Sequence, residues 1–192
     1  MTNRIPVEKF DFPVEKIKSG YYTDAYFLRS EEILNGDNHH PRVLMQIFAR
    51  DNVVLCGTDE VIALIKKCAF HPENITIHAL HDGTEVKEWE TVMTIEGDYA
   101  DFAHLETIYL GIFARQSRIA TNVRGVVKAA NGKPVLFFPA RYDIYQTQES
   151  DGYAAMIGGI KGFSTDANAL AVGGKGLGTI PVSYTHLRAH ET

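Results

Sequence analysis

Three stretches of this chain carry side chains able to bind an anion. Arg141 directly follows the apolar run Val135-Leu136-Phe137-Phe138 and precedes Tyr142 and Asp143. A guanidinium there can present a planar fork to a carboxylate or phosphate, or close a capping salt bridge with Asp143. Ser164-Thr165-Asp166-Ala167-Asn168 can cap a helix, and the hydroxyls and N–H groups of such a cap also suit an anion, with the structural cap the favoured alternative. Glycines 173, 174, 176 and 178 permit close backbone approach, but they lack the Walker and dinucleotide-binding spacings. Neither GxSxG nor HExxH occurs.

Other reactive side chains have a plain reading. His39 and His40 sit in the turn cluster from Asn35 to Pro41 and read as solvated loop residues before they read as metal ligands. Arg115 and Arg118 could reach a phosphate, although a solvated or salt-bridged helix face accounts for them better. Cys56 and Cys68 lack CxxC or Cys/His ligand spacing, so buried reduced thiols are expected.

The elements that must position these groups follow from periodicity. A helix opening at residue 23, with Thr23 or Asp24 as cap, is predicted up to Leu34, and a strand over Arg42 to Ala49. Thr58 is expected to cap a helix with Asp59 and Glu60 in its first turn and a buried stripe of Val61, Ile62, Leu64 and Ile65. Ile75–Ala79, Glu85–Lys87 and Thr91–Glu96 read as strands of a small antiparallel sheet. From Asp101 the period becomes helical, giving two helices or one kinked near Ser117, ended by Asn131-Gly132. Beyond Pro134 the pattern is βαβαβ: a strand at 135–138 buried on both sides, helices at 153–157 and 167–172, and further strands at 161–164 and 176–181. In parallel α/β units ligands bind outside the carboxyl ends of the strands, which is where Arg141, Ser164 and Thr165 fall.

Composition bounds the class. An apolar share of 45% over 192 residues supports a packed core rather than disorder. A net charge of −5 without long runs of one sign suits neither a nucleic-acid nor a membrane surface. The first twenty residues contain no signal-peptide core, and no run approaches a membrane span, so a cytoplasmic protein is expected.

Taken in order, Thr23-Asp24-Ala25-Tyr26, Gly97-Asp98-Tyr99, Leu105-Glu106-Thr107, Ile119-Ala120-Thr121-Asn122, Phe137-Phe138-Pro139-Ala140-Arg141, Gly162 to Asn168 and Gly178-Thr179-Ile180-Pro181 resemble the nicotinate phosphoribosyltransferase family. No one motif is specific; the ordered set, from about residue 16 to residue 181, carries the resemblance. It implies a type II phosphoribosyltransferase fold: an N-terminal α/β domain with an open, mainly antiparallel sheet over 1–131, then the opening β/α units of an irregular barrel over 132–181. Residues 182–192 read as a non-native tail, the chain stopping mid-protein.

The same resemblance implies the chemistry. The family joins nicotinate to phosphoribosyl diphosphate in NAD biosynthesis, with ATP hydrolysed through a phosphohistidine, Mg2+ and ATP as cofactors, and active sites between the subunits of a homodimer. Related nicotinamide or quinolinate enzymes, or a noncatalytic binding module, are the alternatives. Tyr26 resembles the aromatic that stacks on the pyridine ring from the neighbouring subunit. Arg141 resembles the arginine that meets the anionic substrate, Thr179 resembles the threonine near nicotinate, and Ser164 and Thr165 stand with them as substrate-binding residues. The phosphohistidine position holds Val182, which accepts no phosphoryl group, so this chain is expected to be inactive by itself.

Overall fold

The computed structural model describes residues 4–178 and 182–184. Helix α1 (Val14–Lys18) and helix α2 (Ala25–Gly36) lead into strand β1 (Arg42–Phe48), then β2 (Val53–Val54), helix α3 (Thr58–Cys68), β3 (Thr76–Ala79), β4 (Glu85–Val86) and β5 (Thr91–Asp98). Strands β1, β5 and β3 form an antiparallel sheet in that order, and β2 pairs antiparallel with β4. The expected antiparallel pairing of 75–79 with 91–96 is therefore present, but the strand expected at 85–87 is not part of that sheet: Glu85–Val86 pairs with β2, whose two residues leave no alternation to read.

One face of the larger sheet is the core. Ile47, Met93 and Ile95 point inward against Val61, Leu64, Ile65 and Cys68 of α3, with Phe102, Leu105 and Tyr109 closing the cluster. Leu44 and Phe48 alternate to the other, exposed side, as the period of two requires. The register shifts between Ile47 and Phe48, and opposite it Val92 and Met93 are buried consecutively, which only a break in the alternation permits.

Helix α3 begins differently from expectation. Its cap is Gly57, at φ +103°, a conformation that favours glycine, and a Cβ there would stand 2.9 Å from Ile112 Cγ2. Thr58 lies inside the first turn, its N–H donating to Asp82 Oδ1 at 2.8 Å. The carboxylates behave as the helix dipole suggests: Asp59 accepts the Ile5 N–H at 2.8 Å and pairs with Arg4 at 2.8 Å. Helix α2 opens after Asp24, whose side chain accepts from Thr107 Oγ1 instead of capping its own helix.

After β5 come a short helix α4 (Tyr99–Phe102) and a 3-10 turn at Ala103–Leu105. Helix α5 then runs from Glu106 to Ala129. It is one helix through Ser117, and the reason for a hydroxyl there is tertiary: Ser117 Oγ accepts the Cys56 N–H at 3.0 Å and donates to the Cys56 carbonyl at 3.1 Å, and one turn later Thr121 accepts the Val54 N–H at 2.9 Å. Asn131 and Gly132 both have positive φ, which agrees with the expected helix end.

The last part is strand β6 (Leu136–Phe137), helix α6 (Gln148–Gly158), strand β7 (Gly162–Phe163) and helix α7 (Asp166–Ala169), with β6 and β7 parallel. These are opening β/α units and not a closed barrel. Two expectations are corrected. Leu136 and Phe138 are about half exposed, so β6 is not buried on both faces; Val135, Phe137 and Phe163 pack inward, with Ala155, Ile160 and Ala169. Gly176–Gly178 forms no strand among the described residues, although the Leu177 N–H reaches the Phe163 carbonyl at 2.6 Å; residues 179–181 lie outside them. Both cysteines are free and buried, as expected; burial pushes each thiol up in pKa.

Candidate functional site

Phe138 to Asp143 leave the carboxyl end of β6, and Ser164 to Asp166 leave that of β7. In the first loop the N–H groups of Tyr142 and Asp143 both donate to the Pro139 carbonyl, at 2.8 and 3.1 Å. This tight turn lifts Arg141 into solvent, and Tyr142 is 93% exposed beside it. The alternative of an Arg141–Asp143 salt bridge is not realised. Asp143 instead faces Arg115 of α5, at 3.7 Å, leaving the Arg141 guanidinium unengaged by any described residue.

Arg115 is the fixed point of this end of the fold. Its Nε and Nη2 donate to the two oxygens of Asp151, each at 2.8 Å, a bidentate fork that sets both distance and plane. Asp151 is 1% exposed, and the Thr147 hydroxyl donates to the same carboxylate at 2.8 Å. The hydrogen bonds and charge of Asp151 raise the Arg115 pKa further, so it is a permanent cation. Arg115, Arg118 and Asp143 border a cleft of about 390 Å³ with Gly111, Ala114 and Ile119. The sequence reading of Arg115 as salt-bridged is thus correct, whereas Asp151 went unnoticed. The helix was expected only at 153–157, which left Asp151 outside any element, whereas it lies in the first turn of Gln148–Gly158.

The loop after β7 is built mainly for structure. Thr165 Oγ1 accepts the Asn168 N–H at 3.1 Å and contacts Gln148 Oε1 at 3.0 Å, so it caps α7 and ties it to the start of α6. The Ser164 N–H extends the β6–β7 ladder to the Phe137 carbonyl at 3.0 Å, but its buried hydroxyl has no hydrogen-bond partner among the described residues. An unpartnered buried hydroxyl costs free energy, which sets Ser164 apart from the capping Thr165 in this loop. The glycines fold back on the same loop: the Gly176 N–H donates to Asp166 Oδ1 at 2.7 Å, and a Cβ on Gly176 would stand 2.9 Å from the Thr165 carbonyl carbon. Their role here is close backbone packing.

Arg141, Ser164 and Thr165 therefore share one end of the parallel unit. Tyr26 stands elsewhere, on α2, which docks on α4 and on the turn at 103–105. It is 57% exposed, with its ring centroid 4.1 Å from that of Phe27; desolvation, Asp24 and Glu106 raise its phenol pKa. Thr179 lies outside the described residues. Val182 is 72% exposed. Asp82 joins α3 to α6: besides the Thr58 N–H it accepts the Tyr153 hydroxyl at 2.8 Å. Among the described residues no cluster of three His, Cys, Asp or Glu is placed to hold a metal ion, and no helix is long and apolar enough to cross a membrane.

Comparison with known proteins places this arrangement. Residues 24–117 match the N-terminal domain of the quinolinate phosphoribosyl transferase family. The crystal structure of nicotinate-nucleotide pyrophosphorylase from Pyrococcus furiosus is 34% identical over 94% of this chain and 46% of that one, with a TM-score of 0.79. Nicotinate-nucleotide pyrophosphorylase from Ehrlichia chaffeensis is 20% identical over 94% of this chain and 66% of its own, TM-score 0.60. Human nicotinic acid phosphoribosyltransferase is 15% identical over 86% of this chain and 40% of its own, TM-score 0.72; the last two show the shared fold. The chain spans about half the length of the Pyrococcus structure.

Proposed function

We infer, from a chain that is related to the type II phosphoribosyltransferases through a quinolinate phosphoribosyl transferase N-terminal domain at residues 24–117, that the complete protein is a phosphoribosyltransferase of pyridine nucleotide biosynthesis. It would join a pyridine carboxylate to phosphoribosyl diphosphate: the ring nitrogen bonds to the ribose anomeric carbon as the bond to diphosphate breaks. The likeness to the Pyrococcus structure over nearly the whole chain carries this reading.

Two acceptors are consistent with it. Quinolinate is the better supported by the comparisons, through the family matched at residues 24–117. Nicotinate, the acceptor implied by the ordered motifs up to Gly178-Thr179-Ile180-Pro181, is favoured by one further observation, the proportions of the chains. The same 94% of this chain is 46% of the Pyrococcus protein but 66% of the Ehrlichia one, so the Pyrococcus protein is the longer. Its proportion is nearer to that of the human nicotinic acid enzyme, where 86% of this chain is 40% of the whole.

Within either reaction Arg141 is proposed to meet the substrate's anionic group, since its fork is unengaged among the described residues and follows the carboxyl end of β6. Ser164, on the loop after β7 at the same end, would offer its hydroxyl, and Thr165 would hold that loop in place. Tyr26, exposed with its neighbours Tyr21 and Tyr22, is proposed to stack on the pyridine in the site of a second subunit of a homodimer, and Thr179 to stand near nicotinate. Mg2+ and ATP are expected for the complete protein. Among the described residues there is no metal-binding cluster, and Val182 stands where the resemblance puts the phosphohistidine.

The test uses the full-length protein with phosphoribosyl diphosphate and, separately, quinolinate, nicotinate or nicotinamide, with and without ATP. Nicotinate mononucleotide formed from quinolinate with release of CO2 and no need for ATP identifies the quinolinate enzyme; formation from nicotinate with ATP consumption identifies the other. No nucleotide product from any acceptor overturns the proposal.

A further inference from the structure

Two histidine–carboxylate pairs close on one corner of the fold, where β5 passes into α4. At Asp98, the last residue of β5, one oxygen accepts the Ala100 N–H at 3.0 Å and the other receives His40 Nδ1 at 2.9 Å. Asp101, three residues on, receives His71 Nδ1 at 2.7 Å, and its backbone carbonyl accepts the Phe70 N–H at 3.0 Å. His40 belongs to the connection from α2 to β1, and His71 to the connection from α3 to β3. Both pairs border a cleft of about 730 Å³, a different cleft from the one beside Arg115.

We propose that the His71–Asp101 pair, which borders this cleft, is a proton-dependent latch that holds the α3–β3 connection against α4 in mildly acidic solution and releases it as the pH rises. The anchor is rigid: the Asp101 side chain is 11% exposed, and α4 is capped by Asp98. The connection reaches this corner through the His71 imidazole and the Phe70 N–H.

The charges around the latch act in one direction. Asp101 of α4, Asp98 of β5 and Glu73 on the connection itself all favour the protonated His71 ring, with the hydrogen bond to Asp101 the largest influence, and together they raise its pKa. Arg42, across the cleft, donates through Nε to Glu96 at 3.0 Å, so its charge is already compensated, and Glu31 of α2 adds another carboxylate to the lining. His104, whose ring lies 4.6 Å from that of Phe70, is fully buried; burial lowers its pKa, and it stays neutral beneath the latch. A histidine whose pKa is raised by folding contributes stability that is full below the ordinary imidazole value and is lost as the pH rises through the folded-state value.

The experiment is carried out on the full 192-residue chain. The His71 ring is titrated by NMR, and protection of the Phe70 amide against exchange is followed from about pH 5.5 to pH 8.5, a span that brackets imidazole titration. Exchange rates are corrected for intrinsic pH dependence. The expected result is a His71 midpoint above that of a solvent-exposed histidine, with Phe70 protection falling as the ring loses its proton. In His71→Gln protection is low and independent of pH, and in Asp101→Asn the His71 midpoint returns toward the exposed value. Equal pH profiles in wild type and His71→Gln overturn the latch. Should His71→Gln fail to fold, a His71 midpoint that Asp101→Asn leaves unchanged does the same.

Discussion

Removing the Arg115 guanidinium tests whether the mouth of the β6–β7 unit is held by one buried ion pair. The Asp151 carboxylate is 1% exposed and receives two charge-assisted hydrogen bonds from Arg115, each 2.8 Å, and one from Thr147. Arg115→Ala leaves that carboxylate buried with a single donor. Breaking a buried pair in this way costs about 3–5 kcal/mol. The Arg115 side chain is 44% exposed, so water reaches the vacated position and screening reduces the loss; about 2–3 kcal/mol is expected. For a chain of this size each kcal/mol moves the melting temperature by about 2–4 °C, giving a fall of about 4–12 °C. Denaturant unfolding of Arg115→Ala, Asp151→Ala and the double variant forms a thermodynamic cycle. Its coupling energy should reach about 1.5–2 kcal/mol, since the second change has no partner left to strand. Single losses that add within about 0.5 kcal/mol would refute the reasoning and leave the fork a surface contact.

Two glycines inside helices give opposite outcomes. A Cβ on Gly152 would overlap the backbone of Asn168, standing 2.6 Å from its Cα; Gly152→Ala must separate α6 from α7 and is expected to cost about 1–3 kcal/mol, as overpacking does. A Cβ added to Gly125 of α5 would meet nothing within 4 Å among the described residues, and Gly125→Ala should stabilise by about 0.5–1 kcal/mol, so chemical denaturation of the two variants checks both signs at once. In the full-length protein Tyr26→Ala should weaken use of the pyridine by about 0.5–1.5 kcal/mol, with little change in melting because the side chain is mostly exposed; an unchanged Michaelis constant with a collapsed melting temperature would make Tyr26 ordinary core. Arg141→Lys keeps the charge and loses the fork, so catalytic efficiency with the carboxylated acceptor should drop, and wild-type efficiency would remove Arg141 from the site.

Periodicity along the chain made β1, β3, β5, α3 and the helical nature of 106–129 legible, though not that it is one helix, because each buries a face whose spacing is a property of consecutive residues. The same holds for the turn at Asn131-Gly132 and for the parallel pairing of two short strands around α6. The ordered motifs placed Arg141, Ser164 and Thr165 at one end of that pair, and composition argued against a membrane span. Local pattern could not show which partner each polar group would find. Ser117 read as a possible kink, yet it serves the backbone of Cys56, sixty-one residues away; Thr58 read as a cap, yet the left-handed conformation needed there fell to Gly57. Asp143 was weighed as the partner of Arg141 two residues before it, and tertiary packing gave it Arg115 instead. Asp151 lay before the helix expected at 153–157, with nothing local to mark it, and is the most buried carboxylate at the mouth. A buried charge is tolerable only opposite its counter-charge, and that opposition is set by how α5 and α6 cross, which neither helix encodes alone.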